Sequence, residues 1–366
     1  MHALTLVTSA LTLAMSATAF TFVPENLTIL AHSESALPKI FDISASQTIP
    51  ESDASWYSTS YVRSQTNGHQ YFIVSHTIPV LPDHGSGFYR SSILDVTNPT
   101  VDGAYWQNVT IAPTPSGYNN GSFNITYPGG VYAFESLSED SVAVLHTKQI
   151  DPSLSFDITF QSSSPLILNG GLGGLAAGIT NGKMPNISTE WSMPAGVTWG
   201  SFSWNGTNHE IDGANSFTWY DRQWGGDAPK NWTWFGLHVG PPGDEAKSTK
   251  MSFWAIDQAN SSVPRTQFGT IRKADGIQMV VPATFSPSDD IWTSPTTGYE
   301  YPQQYSVTWP DGSTMEVASA RQDQELSGPI LGSSGYEGYG TVSGKFLGET
   351  ITGFGVIEVT HFTAPP

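Results

Sequence analysis

Apolar and polar positions alternate with a period of two along most of this chain, and sustained helical periodicity is nearly absent. A strand is predicted from Gln70 to Val74, just after the turn Asn67-Gly68. Tyr305, Val307 and Trp309 alternate before the turn Pro310-Asp311-Gly312, and Thr314–Ser319 returns with Met315 and Val317 on one face. Lys230–Val239, Lys250–Asp257 and Gly353–His361 also read as strands. The 36 glycines and 25 prolines are spread evenly, which leaves little room for long helices. Short strands at turn-sized spacing predict an all-β fold of antiparallel sandwiches or barrels. Gly-rich residues 168–185 read as a long loop near a domain boundary, which is expected around 190–212.

The N-terminus departs from this pattern. Leu4–Met15 is an apolar run followed by Ser16-Ala17-Thr18-Ala19, which predicts a secretory signal peptide over residues 1–19. The run is too short for a membrane span of ~30 Å, and no later segment approaches that length. Eight N-x-S/T sequons agree with passage through the secretory pathway: Asn26, Asn108, Asn120, Asn124, Asn186, Asn205, Asn231 and Asn260. With no cysteine in the chain, stability must come from the core rather than from disulfides. The formal net charge of −18, with only 14 basic residues, argues against nucleic acid and against anionic membrane surfaces.

Chemistry concentrates in Phe217-Thr-Trp-Tyr-Asp-Arg-Gln-Trp224, where Trp219, Tyr220 and Trp224 surround Asp221 and Arg222. Rings with a few fixed polar groups line small-molecule pockets, although a buried Asp–Arg pair that orders a strand end reads equally well. Alternation puts Glu358 on the apolar face of Phe354 and Val356. There it either finds a buried cation or keeps a raised pKa suited to proton transfer. His76 follows Phe72 and Val74 in the same alternation and is a second candidate acid. The nine histidines show no metal-ligand spacing, and no G-x-S-x-G or Walker motif occurs. Gly171-Leu-Gly173-Gly-Leu-Ala176 fits a dinucleotide fingerprint formally but lacks a βαβ setting, so close backbone approach is the expected role. No metal and no cofactor are expected.

Several segments, in order, resemble a lipocalin-like two-domain family that includes carotenoid hydratase, fungal kievitone hydratase and fungal Diels–Alderases. Trp219-Tyr-Asp-Arg-Gln-Trp-Gly225 is similar to the family's W-x-D-H-Q-W-G, with Arg222 in place of His as in its fungal branch. Gly353-Phe-Gly355-Val-Ile-Glu358 and Tyr336-Glu-Gly338 are similar to its C-terminal signatures. Trp56-Tyr57, Phe88–Asp95 and Glu190–Pro194 add weaker matches. The resemblance implies two lipocalin-like β-barrel or sandwich domains, expected at 20–200 and 201–366. It also implies an apolar pocket without a cofactor.

Three functions follow as expectations. The first is a secondary-metabolite pericyclase performing a (hetero-)Diels–Alder cycloaddition, as in tropolone-sesquiterpene pathways, after dehydration to a quinone methide where required. The substrate expected is a small apolar polyketide or terpenoid. In this reading Arg222 or Gln223 polarises a carbonyl, and Asp221, Glu358 or His76 supplies the acid. Trp56, Tyr57, Trp219, Trp224, Trp234 and Tyr336 form the walls. The second is a hydratase adding water to an isoprenoid double bond, with Asp221 or Glu358 as general acid. The third is a secreted carrier without chemistry.

Overall fold

The computed structural model describes residues 20–27, 38–49, 54–80, 86–116, 123–176, 187–226, 229–243, 248–259 and 262–365. The expected signal peptide and the sequon asparagines Asn120, Asn186 and Asn260 lie outside the described residues, as does the later part of the Gly-rich stretch. Asn26 and Asn205 are exposed, whereas Asn108, Asn124 and Asn231 are half-buried.

The protein is all-β. Its sheets curl into a half-barrel and a near-barrel. Among the described residues one sheet has thirteen strands and the other ten, with a separate two-stranded ribbon. In the first sheet, β1 (Ser55–Arg63), β2 (Gln70–Ile78) and β3 (Ser86–Asp95) form a meander. It continues through two later strands, β4 (Ile187–Trp204) and β5 (Phe217–Trp224), in the spatial order β3-β2-β1-β5-β4. Eighteen residues long, β4 shifts register between Met193 and Gly196. Pro194, which has no N–H to give the ladder, sits at that irregularity.

The second sheet is built around β6 (Asn231–Gly240), β7 (Thr249–Asp257), β8 (Gly335–Phe346) and β9 (Glu349–His361), in the order β7-β6-β9-β8. One sheet gives way to the other between Trp224 and Asn231, so residues 201–224 hydrogen-bond into the first sheet. That changeover lies C-terminal to the division at residue 200 read from the sequence. The predicted strands near 70, 230, 250, 314 and 353 are all present.

Three apolar clusters follow from this layout. One fills the interior of the first sheet, with Trp56, Trp191, Tyr220 and Trp224. A second fills the interior of the other sheet, with Phe235, Phe253, Tyr305 and Tyr336. The third lies between the two sheets and takes Tyr57, Tyr61 and Trp219 from one side and Trp234, Trp254 and Phe354 from the other. Strands that face two cores must be apolar on both faces, which is why β5 is buried almost throughout. The segment Phe20–Leu27 straps across this junction. Phe22 is fully buried in the inter-sheet cluster, Glu25 bonds the Ala195 carbonyl through its backbone N–H, and its carboxylate pairs with Lys250.

Candidate active site

Alternation along each strand decides which side chains enter the inter-sheet space. On β5, Phe217, Trp219 and Asp221 face it, while Tyr220, Arg222 and Trp224 face the interior of the first sheet. On β1, Tyr57 faces it and Trp56 does not. On β9, Glu358 lies beside Phe354 and Val356, as the sequence pattern predicts. Register completes the cluster. Tyr57 stands directly opposite Asp221 on one side and His76 on the other. Glu358 stands opposite both Trp234 and Glu337, and Ser192 stands opposite Asp221.

Four carboxyl groups therefore converge from strands far apart in sequence: Glu190, Asp221, Glu337 and Glu358, all buried. Arg90 on β3 enters among them. Its Nη2 donates to Glu337 Oε1 at 2.5 Å and its Nε donates to His76 Nδ1 at 2.8 Å. The phenol of Tyr57 donates to Glu337 Oε2 at 2.8 Å. Because His76 Nδ1 accepts from Arg90, Nε2 carries the proton and faces Ser55 Oγ at 2.8 Å. Burial, then the neighbouring guanidinium, holds the imidazole well below its ordinary pKa, so His76 is a neutral brace for Arg90. Gly335 lets this guanidinium pass: a Cβ there would lie 2.7 Å from Arg90 Nη1.

One cation does not neutralise four acids, and the site stores protons as a result. Burial pushes Asp221 up to about 8, against hydrogen bonding from Ser192 and Trp219, with the Glu358 charge adding to the rise. The Trp219 Nε1–H donates to Asp221 Oδ2 at 2.9 Å, whereas Ser192 lies beside the carboxyl at looser reach. Glu190 is raised well above its ordinary value by burial and by Asp221 and Glu358, and its Oε2 has no hydrogen-bond partner among the described residues. Glu337 is raised by burial and by Glu358, despite Arg90. Burial also raises Glu358, opposed by Arg90 and by the Trp232 N–H at 2.6 Å.

Aromatic rings close the space around these acids. Tyr57 meets Trp234 edge-on at 6.1 Å, Trp219 meets Trp234 at 5.9 Å, and Trp254 lies 6.0 Å beyond. A chain of polar groups crosses between the sheets beneath them. Trp234 Nε1 donates to Ser252 Oγ, Ser252 donates to Asn169 Oδ1 at 2.6 Å, and Asn169 Nδ2 reaches Ser192 Oγ at 3.3 Å. Asn169 opens the Gly-rich stretch, so that segment serves as a tight inter-sheet contact rather than a nucleotide loop. Gly173 there has φ +84°, and a Cβ would strike the Phe41 ring at 2.4 Å. Among the described residues, no group of three or more His, Asp or Glu is arranged to hold a metal ion.

Of the residues singled out by sequence, the structure brings together Tyr57, His76, Trp219, Asp221, Trp234 and Glu358. Gln223 shares their face of β5 but sits at the edge, donating to Ser188 Oγ at 3.3 Å. Arg222, Trp56, Trp224 and Tyr336 are elsewhere. Arg222 does not pair with Asp221. Its guanidinium lies 3.9 Å over the Trp56 ring and bonds the carbonyls of Ser46, Ile49, Ser55 and Gln223, clamping the short helix α1 (Ile43–Ser46) to the sheet. The Tyr336 hydroxyl donates to the Arg321 carbonyl at 2.9 Å, in the interior of the second sheet. Glu190, Glu337 and Arg90 escaped sequence reasoning as site residues. Each lies inside a segment already singled out, so choosing the opposite face at Tyr336-Glu337 was the available signal.

Comparison with known proteins agrees with this fold. Residues 130–361 match the AttH-like family. The dehydratase asqC of Emericella nidulans is 31% identical over 344 residues, covering 90% of this chain and 91% of that protein. Kievitone hydratase of Fusarium solani subsp. phaseoli is 30% identical, covering 93% and 91%. The crystal structure of kievitone hydratase from Nectria haematococca superposes with a TM-score of 0.81 at 29% identity, covering 94% of this chain and 99% of that one.

Proposed function

Because the chain belongs to the AttH-like family, we propose that it is a hydro-lyase acting on a small apolar secondary metabolite in the space between its two sheets. The observation that carries this reading is Asp221, a buried carboxyl whose pKa burial pushes up to about 8, within a ring-lined cluster of acids. Elimination of water needs an acid at the departing hydroxyl and a base at the neighbouring C–H or O–H. Asp221 supplies the proton to the hydroxyl, which leaves as water as the C–O bond breaks. Glu358, charged beside Arg90, takes the proton from the adjacent atom, and the released electron pair forms the new double bond. Hydration is the same path reversed. Arg90 and Tyr57 hold Glu337 in place, and the Glu358 charge opposes a second ionisation at Asp221 and Glu337.

A second reading is a dehydration whose product is a conjugated quinone methide that then closes by hetero-Diels–Alder addition in the same space. It is favoured by the rings of Tyr57, Trp219, Trp234 and Trp254, which can hold two π-systems face to face in a near-attack pose. In both readings the protein enters the secretory pathway, loses residues 1–19 as a signal peptide and carries glycans on the exposed Asn26 and Asn205, a proposal supported by the N-terminal apolar run and the sequons.

The purified protein, incubated with benzylic or allylic alcohols of polyketide and terpenoid type and analysed by mass, should remove one water. Asp221→Asn and Glu358→Gln should each lose ~10²–10⁴ in rate. A product equal in mass to the sum of two partners, formed at undiminished rate by both variants, would refute the hydro-lyase reading and leave cycloaddition alone. Unchanged substrates throughout would leave a carrier.

A further inference from the structure

Glu190 is the one acid of the carboxyl cluster to which the proposed chemistry gives no part. It stands two residues before Ser192 on β4, so the two side chains share a face. Register sets Ser192 opposite Asp221 and Glu190 opposite Gln223, which makes Glu190 and Asp221 diagonal neighbours on one face of the β4–β5 pair. Such neighbours lie about 7–8 Å apart, within reach of a long side chain. The Glu190 backbone is fixed from behind, where its N–H donates to the Gly173 carbonyl at 2.9 Å.

Both carboxyls are buried, Glu190 2% and Asp221 6% exposed. The Trp219 Nε1–H occupies Asp221 Oδ2, whereas Asp221 Oδ1 and Glu190 Oε2 have no hydrogen-bond partner at ordinary distance among the described residues. Buried polar atoms are nearly always paired, so two unpaired oxygens on neighbouring acids call for a common explanation. Among the described residues no cation supplies it. Arg90 bonds His76 and Glu337, and Lys250 pairs with Glu25. The groups that face the two acids are the Tyr57 phenol on β1, Ser192 on β4, Glu358 on β9 and, farther along, Tyr61 and Glu337. None of them is basic. A proton fits instead: an O–H on one carboxyl donates to the free oxygen of the other, and O–H···O⁻ bonds are among the strong ones. Loss of both protons would put two charges side by side in a buried space, which burial and repulsion oppose.

We propose that Glu190 and Asp221 ionise as one unit, in which the loss of one proton leaves the other shared between Glu190 Oε2 and Asp221 Oδ1. Glu190 is thereby a positioning residue that keeps a proton within reach of Asp221. This rests on Asp221 as the acid of the hydro-lyase. One elimination leaves the pair a proton short and Glu358 a proton rich. The second proton of the pair keeps Asp221 competent until Glu358 has released its own.

The test is a pH titration of the mature protein, labelled with carbon-13 at the side-chain carboxyls of Asp and Glu and followed by NMR without substrate. Asp221→Asn and Glu190→Gln each delete one signal and so assign the pair. In the wild type both carbons should move in the same two steps, because linked acids titrate together. In Glu190→Gln the Asp221 carbon should move once, its midpoint at least ~1 pH unit below the upper wild-type step. The alkaline limb of the turnover profile, scaled to its own plateau, should fall with it. An Asp221 carbon that moves in one step at the same pH in both proteins would overturn the proposal. Where Glu190→Gln does not fold, the wild type still decides: Asp221, assigned through Asp221→Asn, must move in two steps, and a single step refutes the pair. Because the titration needs no substrate, two-step behaviour together with undiminished turnover in Asp221→Asn would sink the hydro-lyase reading and leave the pair standing.

Discussion

Replacing Asp221 by Asn should make the protein less active and more stable, with a stability gain that grows with pH. The folded protein holds the Asp221 proton up to about pH 8, whereas an unfolded chain releases it near 3.8. Between those values the native state binds one proton more than the unfolded state, so folding stability falls as pH rises. One proton corresponds to about 1.4 kcal/mol per pH unit, hence nearly 3 kcal/mol between pH 5 and pH 7. That figure is a ceiling, because Glu190 and Asp221 share the cost of the same buried space. Asn keeps the shape and the oxygen that accepts from Trp219 Nε1 but cannot ionise. Urea unfolding of both proteins at pH 5 and pH 7, at one ionic strength and with m-values compared, reads the difference directly. The advantage of the variant should widen by about 2–3 kcal/mol over that interval, while turnover drops by ~10²–10⁴. Parallel stability curves would show that Asp221 is charged in the folded protein, and the argument for it as the acid would fail.

Trp219→Phe removes the N–H that favours the charged form of Asp221, so Asp221 should titrate at still higher pH; the alkaline limb of the pH–rate profile should move upward, and a downward move contradicts the geometry. Arg222→Met strips the donor from four carbonyls, two of them in fully buried hydrogen bonds, and should cost about 3–5 kcal/mol in urea unfolding, while turnover per folded molecule is preserved. A variant of normal stability and collapsed turnover would instead place Arg222 in the chemistry. Phe22→Ala empties a fully buried ring position in the inter-sheet cluster and should destabilise by about 3–5 kcal/mol, measured the same way; a loss below 1 kcal/mol would mean the strap is not anchored there.

The sequence by itself determined that the protein is all-β, where most of the strands run, and that Asp221 and Glu358 belong on faces lined by rings. Those are local properties: period two, turn residues and ring density survive in any arrangement of the strands. It did not determine which face of each strand meets the other sheet. Adjacent residues part to opposite faces, so Asp221 and Arg222, Tyr57 and Trp56, and Glu337 and Tyr336 each divide between the inter-sheet site and a structural interior. Both faces of these strands are buried, and hydropathy therefore carries no mark that separates them. Only the tertiary structure, through strand register and the packing of one sheet on the other, brought Glu190, Asp221, Glu337 and Glu358 together, with the Arg90 guanidinium beside Glu337 and Glu358. Burial raises the pKa of each, and repulsion between them adds to the rise, quantities that exist only once the two sheets have closed on each other.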